Sequence, residues 1–136
     1  MIEFTILGEP KGKARHRTTK TGHTYTPKTT VDYENEVIRS YQMEYMGRQL
    51  LEGELKATIT AFYGIAKSIK GKKRAEREKN IIRPTKKPDA DNVAKIVLDS
   101  LNNVVYKDDA AIVELVVSKY WSNEPRVEVC IQRIGG

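Results

Sequence analysis

The spacing of apolar residues changes repeatedly along this chain, and those changes limit the folds that it can adopt. Two stretches have the three-to-four-residue period of an amphipathic helix, at about 30–46 and 89–103. Four others have the composition and alternation of strands, at about 2–6, 55–61, 112–121 and 126–134. The order β-α-β-α-β-β predicts an α+β fold with a mixed sheet of about four strands and two main helices. With 136 residues, the chain is expected to form a single domain over 1–136.

The connections between these elements differ strongly in length. Asn123-Glu124-Pro125 separates the last two strands and predicts a hairpin between them. Two longer connections lie at about 9–28 and 65–88, and the first is predicted to be a loop. The second has room for a short helix, with Ser68 as its cap and 72–77 as its body.

Several classes of protein are excluded by composition. No apolar run approaches the roughly 20 residues that a membrane helix needs, and the first residues lack the pattern of a signal peptide. Cys130 is the only cysteine, so a disulfide framework within the chain is excluded. We therefore expect a soluble, cytoplasmic protein with no membrane partner.

The positive charge of the chain is concentrated in the two long connections. The first basic segment, 9–28, contains six basic residues and one acidic residue, and the second basic segment, 65–88, contains ten and two. The rest of the chain carries eight basic and fifteen acidic residues, although the whole chain has a net charge of +6. Such asymmetry favours a polyanionic partner, because Lys and Arg release the counterions of phosphates. The alternative is a solvated surface that only keeps the protein in solution.

If the partner is nucleic acid, the candidate contacts are basic residues of these two segments. They are Lys11, Lys13, Arg15, Arg17, Lys72, Lys73, Arg74, Lys86 and Lys87.

Carboxylates are clustered directly after the second basic segment. Five of them occur within 21 residues: Asp89, Asp91, Asp99, Asp108 and Asp109. They would repel a bound phosphate backbone unless a cation compensated, and carboxylate oxygens suit Mg²⁺. Such an ion could polarise a phosphodiester, and Lys95, four residues after Asp91 on the same helical face, could stabilise the developing charge.

Each of these residues also has an ordinary structural interpretation. Asp89 and Asp91 stand at a helix start, where Asp is favoured as a cap. Lys95 could form a helical ion pair with Asp91 or Asp99. Asp108 and Asp109 lie in a predicted turn, where Asp often binds its own backbone. Spacing alone leaves both interpretations open.

The same residues carry a resemblance to a known family. The runs KPDADNVAKIVLDSLN over 87–102 and VVYKDDAAI over 104–112 resemble the signature of RusA-type Holliday junction resolvases. These are small endodeoxyribonucleases of bacteria and their prophages. The family pattern is D-x-D-N-x-x-K at a helix start, an Asp further along that helix, and Asp-Asp-x-x-Ile before a strand. The resemblance extends to PKGKAR over 10–15 and to Lys119-Tyr120.

The resemblance implies a role for each matching residue. Asp89 and Asp91 match two metal-binding carboxylates, and Asp109 matches the third catalytic carboxylate. Lys95 matches an essential lysine. Asp108 and Asp99 match recurrent acidic positions, with Asp108 a second-rank candidate for the metal.

The resemblance also implies an activity. Family members are homodimers that nick two strands of a four-way DNA junction symmetrically, in DNA repair and recombination. Mg²⁺, for which Mn²⁺ is a possible substitute, supports a hydrolysis that leaves 5′-phosphate and 3′-hydroxyl ends. The competing hypothesis is a basic nucleic-acid-binding module without catalysis, in which the carboxylates only cap and pair. It predicts binding without turnover.

Overall fold

A computed structural model describes residues 1–14 and 17–135 of the chain, and only the backbone of Arg17. The elements follow one another in this order: β1 (Ile2–Leu7), β2 (Arg17–Thr18), β3 (Thr24–Tyr25), α1 (Lys28–Tyr45), β4 (Leu55–Gly64), α2 (Gly71–Glu78), α3 (Ala90–Ser100), a 3-10 turn (Asp109–Ala111), β5 (Ile112–Ser122) and β6 (Arg126–Arg133). The four predicted strands and the two predicted main helices are thus confirmed, with shifted ends. The α+β class is confirmed as well.

The main sheet has the strand order β1-β6-β4-β5. β4 and β5 are parallel, whereas β6 runs antiparallel to both β1 and β4, so the sheet is mixed as predicted. The parallel pair follows from the long connection between β4 and β5, which contains α2 and α3 and lets the chain return to the same end of the sheet.

One face of this sheet forms the core. Alternate residues of β4, from Leu55 to Tyr63, are almost completely buried there, and α1 and α3 pack over the same face. The intervening residues, such as Thr58 and Thr60, are only half-buried on the opposite face. The period of two in the sequence therefore marks one covered face of the sheet.

The predicted hairpin between the last two strands is wrong. β5 and β6 are joined by only three residues, but both pair with β4, which lies between them. Every second residue of β4 is buried, so this strand belongs in the interior of the sheet, where a neighbour on each side pairs with its backbone. The short connection crosses one strand because neighbouring strands are only about 4.8 Å apart.

Two further corrections concern the basic segments. α2 begins after Lys70, which is its N-cap, rather than after Ser68. The first basic segment contains the two-residue strands β2 and β3, paired antiparallel, and so is not entirely loop.

No helix in the described ranges has both the length and the apolar character needed to span a bilayer.

Candidate active site

The start of α3 presents the two carboxylates of the D-x-D sequence. Asp89 is the N-cap residue and has an extended backbone, but its side chain makes no capping hydrogen bond in the described structure. Asp91 lies in the first turn and is exposed. The cap interpretation would occupy the Asp89 carboxylate with a helix amide. Here that carboxylate is left for another partner.

One face of α3 is a polar stripe. Asp91, Lys95 and Asp99 follow one another at intervals of four residues, while Val93, Val97 and their neighbours on the other face are buried. Lys95 is exposed and forms no ion pair with any described residue. Asp91 and Asp99 are two turns apart, about 12 Å of helix rise. The stripe therefore spreads its charges along the helix.

The far end of the stripe meets the acidic turn. Asp109 has the carboxyls of Asp108 and Asp99 as neighbours. The amide N–H of Asp109 donates to Asn102 Oδ1 at 2.8 Å, which fixes the turn against the end of α3. Burial, followed by the contacts with Asp108 and Asp99, raises the pKa of Asp109 above that of an ordinary aspartate. The fold therefore concentrates negative charge at this point.

A buried tyrosine lies just before the turn of Asp108 and Asp109 in the chain and contacts α3. Tyr106 is fully buried, and its hydroxyl donates to the carbonyl oxygen of Leu98 in α3 at 2.7 Å. Burial, and then the charge of Asp109, raises its pKa far above that of an ordinary tyrosine, so the hydroxyl stays protonated and remains a donor.

The first basic segment packs directly against α3. A Cβ added to Gly12 would lie 2.9 Å from Pro88 Cβ and 3.1 Å from Asn92 Cβ, so glycine permits the close approach. The neighbouring Lys13 donates its amide N–H to the carbonyl of Asn92 at 3.2 Å. The PKGKAR sequence is thus positioned beside the D-x-D sequence.

Lys13 supplies a counter-charge to the acidic residues. Its Nζ lies 2.6 Å from Glu34 Oε2 of α1 and 3.6 Å from Asp99 Oδ2 of α3. Burial would lower the pKa of Lys13, but the hydrogen bond and charge of Glu34, with a smaller effect of Asp99, raise it instead. Its ammonium is therefore engaged within the protein, and its contribution to DNA binding stays a prediction.

The ends of β4 and β5 hold the backbone that leads into α3. The Tyr63 hydroxyl donates to the carbonyl of Pro88, and Lys119 Nζ donates to the carbonyl of Lys86 at 2.7 Å. Burial, and then the charges of Asp89 and Glu9, raises the pKa of Tyr63 to about 12, so it remains a donor at neutral pH. These contacts set the direction of the helix start.

The carboxylates of this site suit a hard cation whose remaining ligands are supplied by water and by the substrate. Within 1–14 and 17–135, no three His, Cys, Asp or Glu side chains converge closely enough to hold a metal by themselves. Mg²⁺ does not require such a cage, because it keeps several waters and binds through one or two carboxylates plus phosphate oxygens. The uncapped Asp89, the exposed Asp91 and the crowded Asp109 fit that mode of binding.

The predicted DNA contacts divide into several groups. Most are exposed: Lys11, Lys72, Lys73, Lys86 and Lys87. Arg74 is held by the protein, because it donates to the carbonyls of Ala66 and Ile69 and to Asn123 Oδ1 at 2.6 Å. Arg15 and the side chain of Arg17 lie outside the described residues.

Among the residues that support this site, Glu34 and Tyr63 are not recognised from the sequence. Glu34 lies one turn from the buried Thr30 and Val37 of α1, and a carboxylate on the buried side of a helix is a local signal that it needs a partner. Tyr63 belongs to the buried row of β4 and carries no such signal. Each meets the site only through contacts between residues far apart in the chain.

Comparison with known proteins gives a family. The model of the family described as Endodeoxyribonuclease RusA matches residues 8–132. The chain is also 36% identical over 138 residues to "Uncharacterized protein YqaN" of Bacillus subtilis (strain 168), with 98% of this chain and 96% of that protein covered. The family match includes the D-x-D-N-x-x-K and Asp-Asp sequences and the β4, α3 and β5 elements that position them. The chain therefore belongs to the RusA endodeoxyribonuclease family, whose activity is the resolution of Holliday junctions.

Proposed function

We propose that this protein is a Mg²⁺-dependent endodeoxyribonuclease that resolves four-way DNA junctions by paired symmetric nicks. The observation that carries the proposal is the start of α3, where an uncapped Asp89 and an exposed Asp91 stand between exposed Lys87 and exposed Lys95. Two carboxylates flanked by lysines suit a cation and the phosphate that it binds. The substrate is branched DNA, and the setting is DNA repair and recombination in the cytoplasm.

Asp89, Asp91 and Asp109 are the proposed metal ligands, with Asp108 as a second-rank candidate. Bound Mg²⁺, or Mn²⁺ as a substitute, would polarise the scissile phosphate and lower the pKa of an attacking water. The raised pKa of Asp109 supports this assignment, because a carboxylate crowded by two others is stabilised by a cation.

Lys95 is the proposed stabiliser of charge on the phosphate. Its ammonium is exposed and is not paired with a described carboxylate, so it can face an added phosphate. Lys13 acts differently, because its ion pairs with Glu34 and Asp99 hold the first basic segment against α3. We assign Lys13 a positioning role.

A nicking assay tests the proposal. A synthetic four-way junction is incubated with Mg²⁺ or with EDTA, beside linear duplex of the same sequence. We expect symmetric Mg²⁺-dependent nicks with 5′-phosphate ends on the junction alone. Tight junction binding without nicks, on a branch-migratable junction as well, would favour the non-catalytic module.

We further propose a homodimer that is joined along β5. This strand is one of the two edges of the sheet, and its Val113, Leu115 and Val116 are 58%, 47% and 45% exposed. An unpaired apolar edge is a template for another strand, and a two-fold interface suits a nearly symmetric junction.

Light scattering tests this interface. We expect the wild type to have the mass of two chains and Leu115→Lys/Val116→Lys to have that of one, 15.5 kDa. Met43→Lys/Met46→Lys, which adds the same two charges at exposed apolar residues outside β5, is the control and should stay dimeric. A wild type that is monomeric at assay concentrations would contradict the proposal.

A further inference from the structure

The second basic segment exposes two consecutive isoleucines. Ile81 is 68% exposed and Ile82 is 48% exposed, although the segment around them has a net charge of +8 from ten basic and two acidic residues. Both are large and apolar, and an apolar residue just after a helix end ordinarily packs back against the last turn of the helix, whereas these two stay exposed. The proposed reaction at α3 uses neither of them.

The backbone of this pair is held in one conformation. Asn80 lies two residues after the end of α2 and has a φ of 54°, a left-handed conformation that Asn tolerates. Its side chain donates to the carbonyl of Trp121 at 3.2 Å and accepts from the Trp121 amide at 2.7 Å. The Ile81 amide donates to the carbonyl of Glu76 at 2.9 Å. The isoleucines are therefore presented from a turn that is fixed to both α2 and β5.

Two arginines, one before and one after the pair in the chain, are fixed to the same strand. The guanidinium of Arg77 lies 4.5 Å from the centre of the Trp121 ring, and that of Arg83 lies 3.8 Å from the centre of the Tyr120 ring. Arg83 Nε also donates to the carbonyl of Lys119. The isoleucines thus protrude from a surface whose charge suits phosphates rather than an apolar protein surface.

The chain connects this turn to the candidate active site. Ile82 precedes Asp89 by seven residues, which can span at most about 25 Å. The contacts of Lys119 with Lys86 and of Tyr63 with Pro88 fix that connection along the ends of β5 and β4. One DNA molecule can therefore reach both the turn and the carboxylates.

We propose that Ile81 and Ile82 insert between bases at the branch point of the DNA while the surrounding cations hold its phosphates. The proposal rests on the proposed function, since it requires branched DNA as the substrate. Apolar side chains are the groups that proteins insert between base steps, and insertion needs an unstacked step. A branch point supplies such a step at lower cost than a continuous duplex, so the pair would contribute selectivity for junctions.

The test uses a junction that carries 2-aminopurine at the branch point, with Ca²⁺ in place of Mg²⁺ so that binding is measured without cleavage. The fluorescence of this adenine analogue increases when it is unstacked. The variant is Ile81→Ser/Ile82→Ser. Met43→Ser/Met46→Ser, which also removes two exposed apolar side chains, is the matched control.

For the wild type and the control we expect a fluorescence increase on binding. For the isoleucine variant we expect no increase and a loss of about tenfold in affinity for the junction, with linear duplex binding within about twofold of the wild type. An unchanged fluorescence increase in the variant would overturn the proposal. Light scattering that shows two chains for the wild type and one for the isoleucine variant would also overturn the proposal, because the pair would then be an interface between copies of the chain.

Nicking by the wild type with Mg²⁺ separates the two proposals. If the wild type nicks the junction and the isoleucine variant unstacks it equally well, the insertion is wrong and the proposed function stands. If the wild type unstacks the branch point without nicking it and the isoleucine variant does not unstack it, the insertion stands and the proposed nuclease activity is wrong.

Discussion

Replacing Asp91 with Asn is expected to reduce Mg²⁺-dependent nicking of a four-way junction by about 10³-fold or more. The substitution removes one charge at the first turn of α3 while it keeps the shape of the side chain. Asp91 is exposed, so the fold should be unaffected. Junction binding in EDTA should be equal to or slightly tighter than that of the wild type, because one negative charge near the phosphates is lost.

The matched control for this variant is Asp32→Asn. Asp32 is an exposed aspartate near the start of α1, so its loss changes the net charge equally. Initial nicking rates and junction affinities are measured for all three proteins. Cleavage retained by Asp91→Asn would contradict the assignment of the metal site, and cleavage lost by Asp32→Asn would show an effect of charge alone.

Replacing Asp109 with Asn is expected to abolish nicking and, without metal, to stabilise the protein. Asp109 is crowded by Asp108 and Asp99, so removing its charge relieves repulsion in the folded state. The free energy of unfolding at pH 7 should therefore increase, although solvent screens part of the effect. A destabilised Asp109→Asn protein, measured by urea unfolding, would contradict this account.

The raised pKa of Asp109 predicts that the stability of the protein depends on pH. The pKa of Asp109 is raised on folding, so the folded state binds a proton more readily than the unfolded chain does. Its contribution to the free energy of unfolding is therefore present at low pH and is lost as the pH rises through the raised pKa. Urea unfolding from about pH 4 to 7 should show this loss in the wild type and in Asp32→Asn but not in Asp109→Asn. Mg²⁺ should raise the Tm of the first two proteins more than that of the third.

At α3, the sequence alone determines which side chains face solvent. The buried Val93, Ile96 and Val97 fix which face of the helix is apolar, and that face alone directs Asp91 and Lys95 towards solvent. The D-x-D-N-x-x-K and Asp-Asp sequences could therefore be located, and the family inferred, before any contact was known.

The partners of these residues could not be predicted in the same way. That Asp109 meets Asp99, and that Lys13 pairs with Glu34 as well as Asp99, depends on how α1, α3 and the first basic segment pack together. Asp99 and Asp108 matched only recurrent positions in the sequence, whereas the fold brings both against Asp109. Charge attraction and burial between distant segments have no counterpart in local periodicity.

The sequence by itself determined the four main strands, the two main helices and the positions of the acidic sequences, because these depend on residues a few positions apart. Only the tertiary structure decided that β4 lies between β5 and β6, against the hairpin that a three-residue connection predicts. It also decided that the ends of β4 and β5 hold the start of α3. The physical reason is that all segments compete for the same buried surface, so which strands pair and which side chains meet depends on the whole chain.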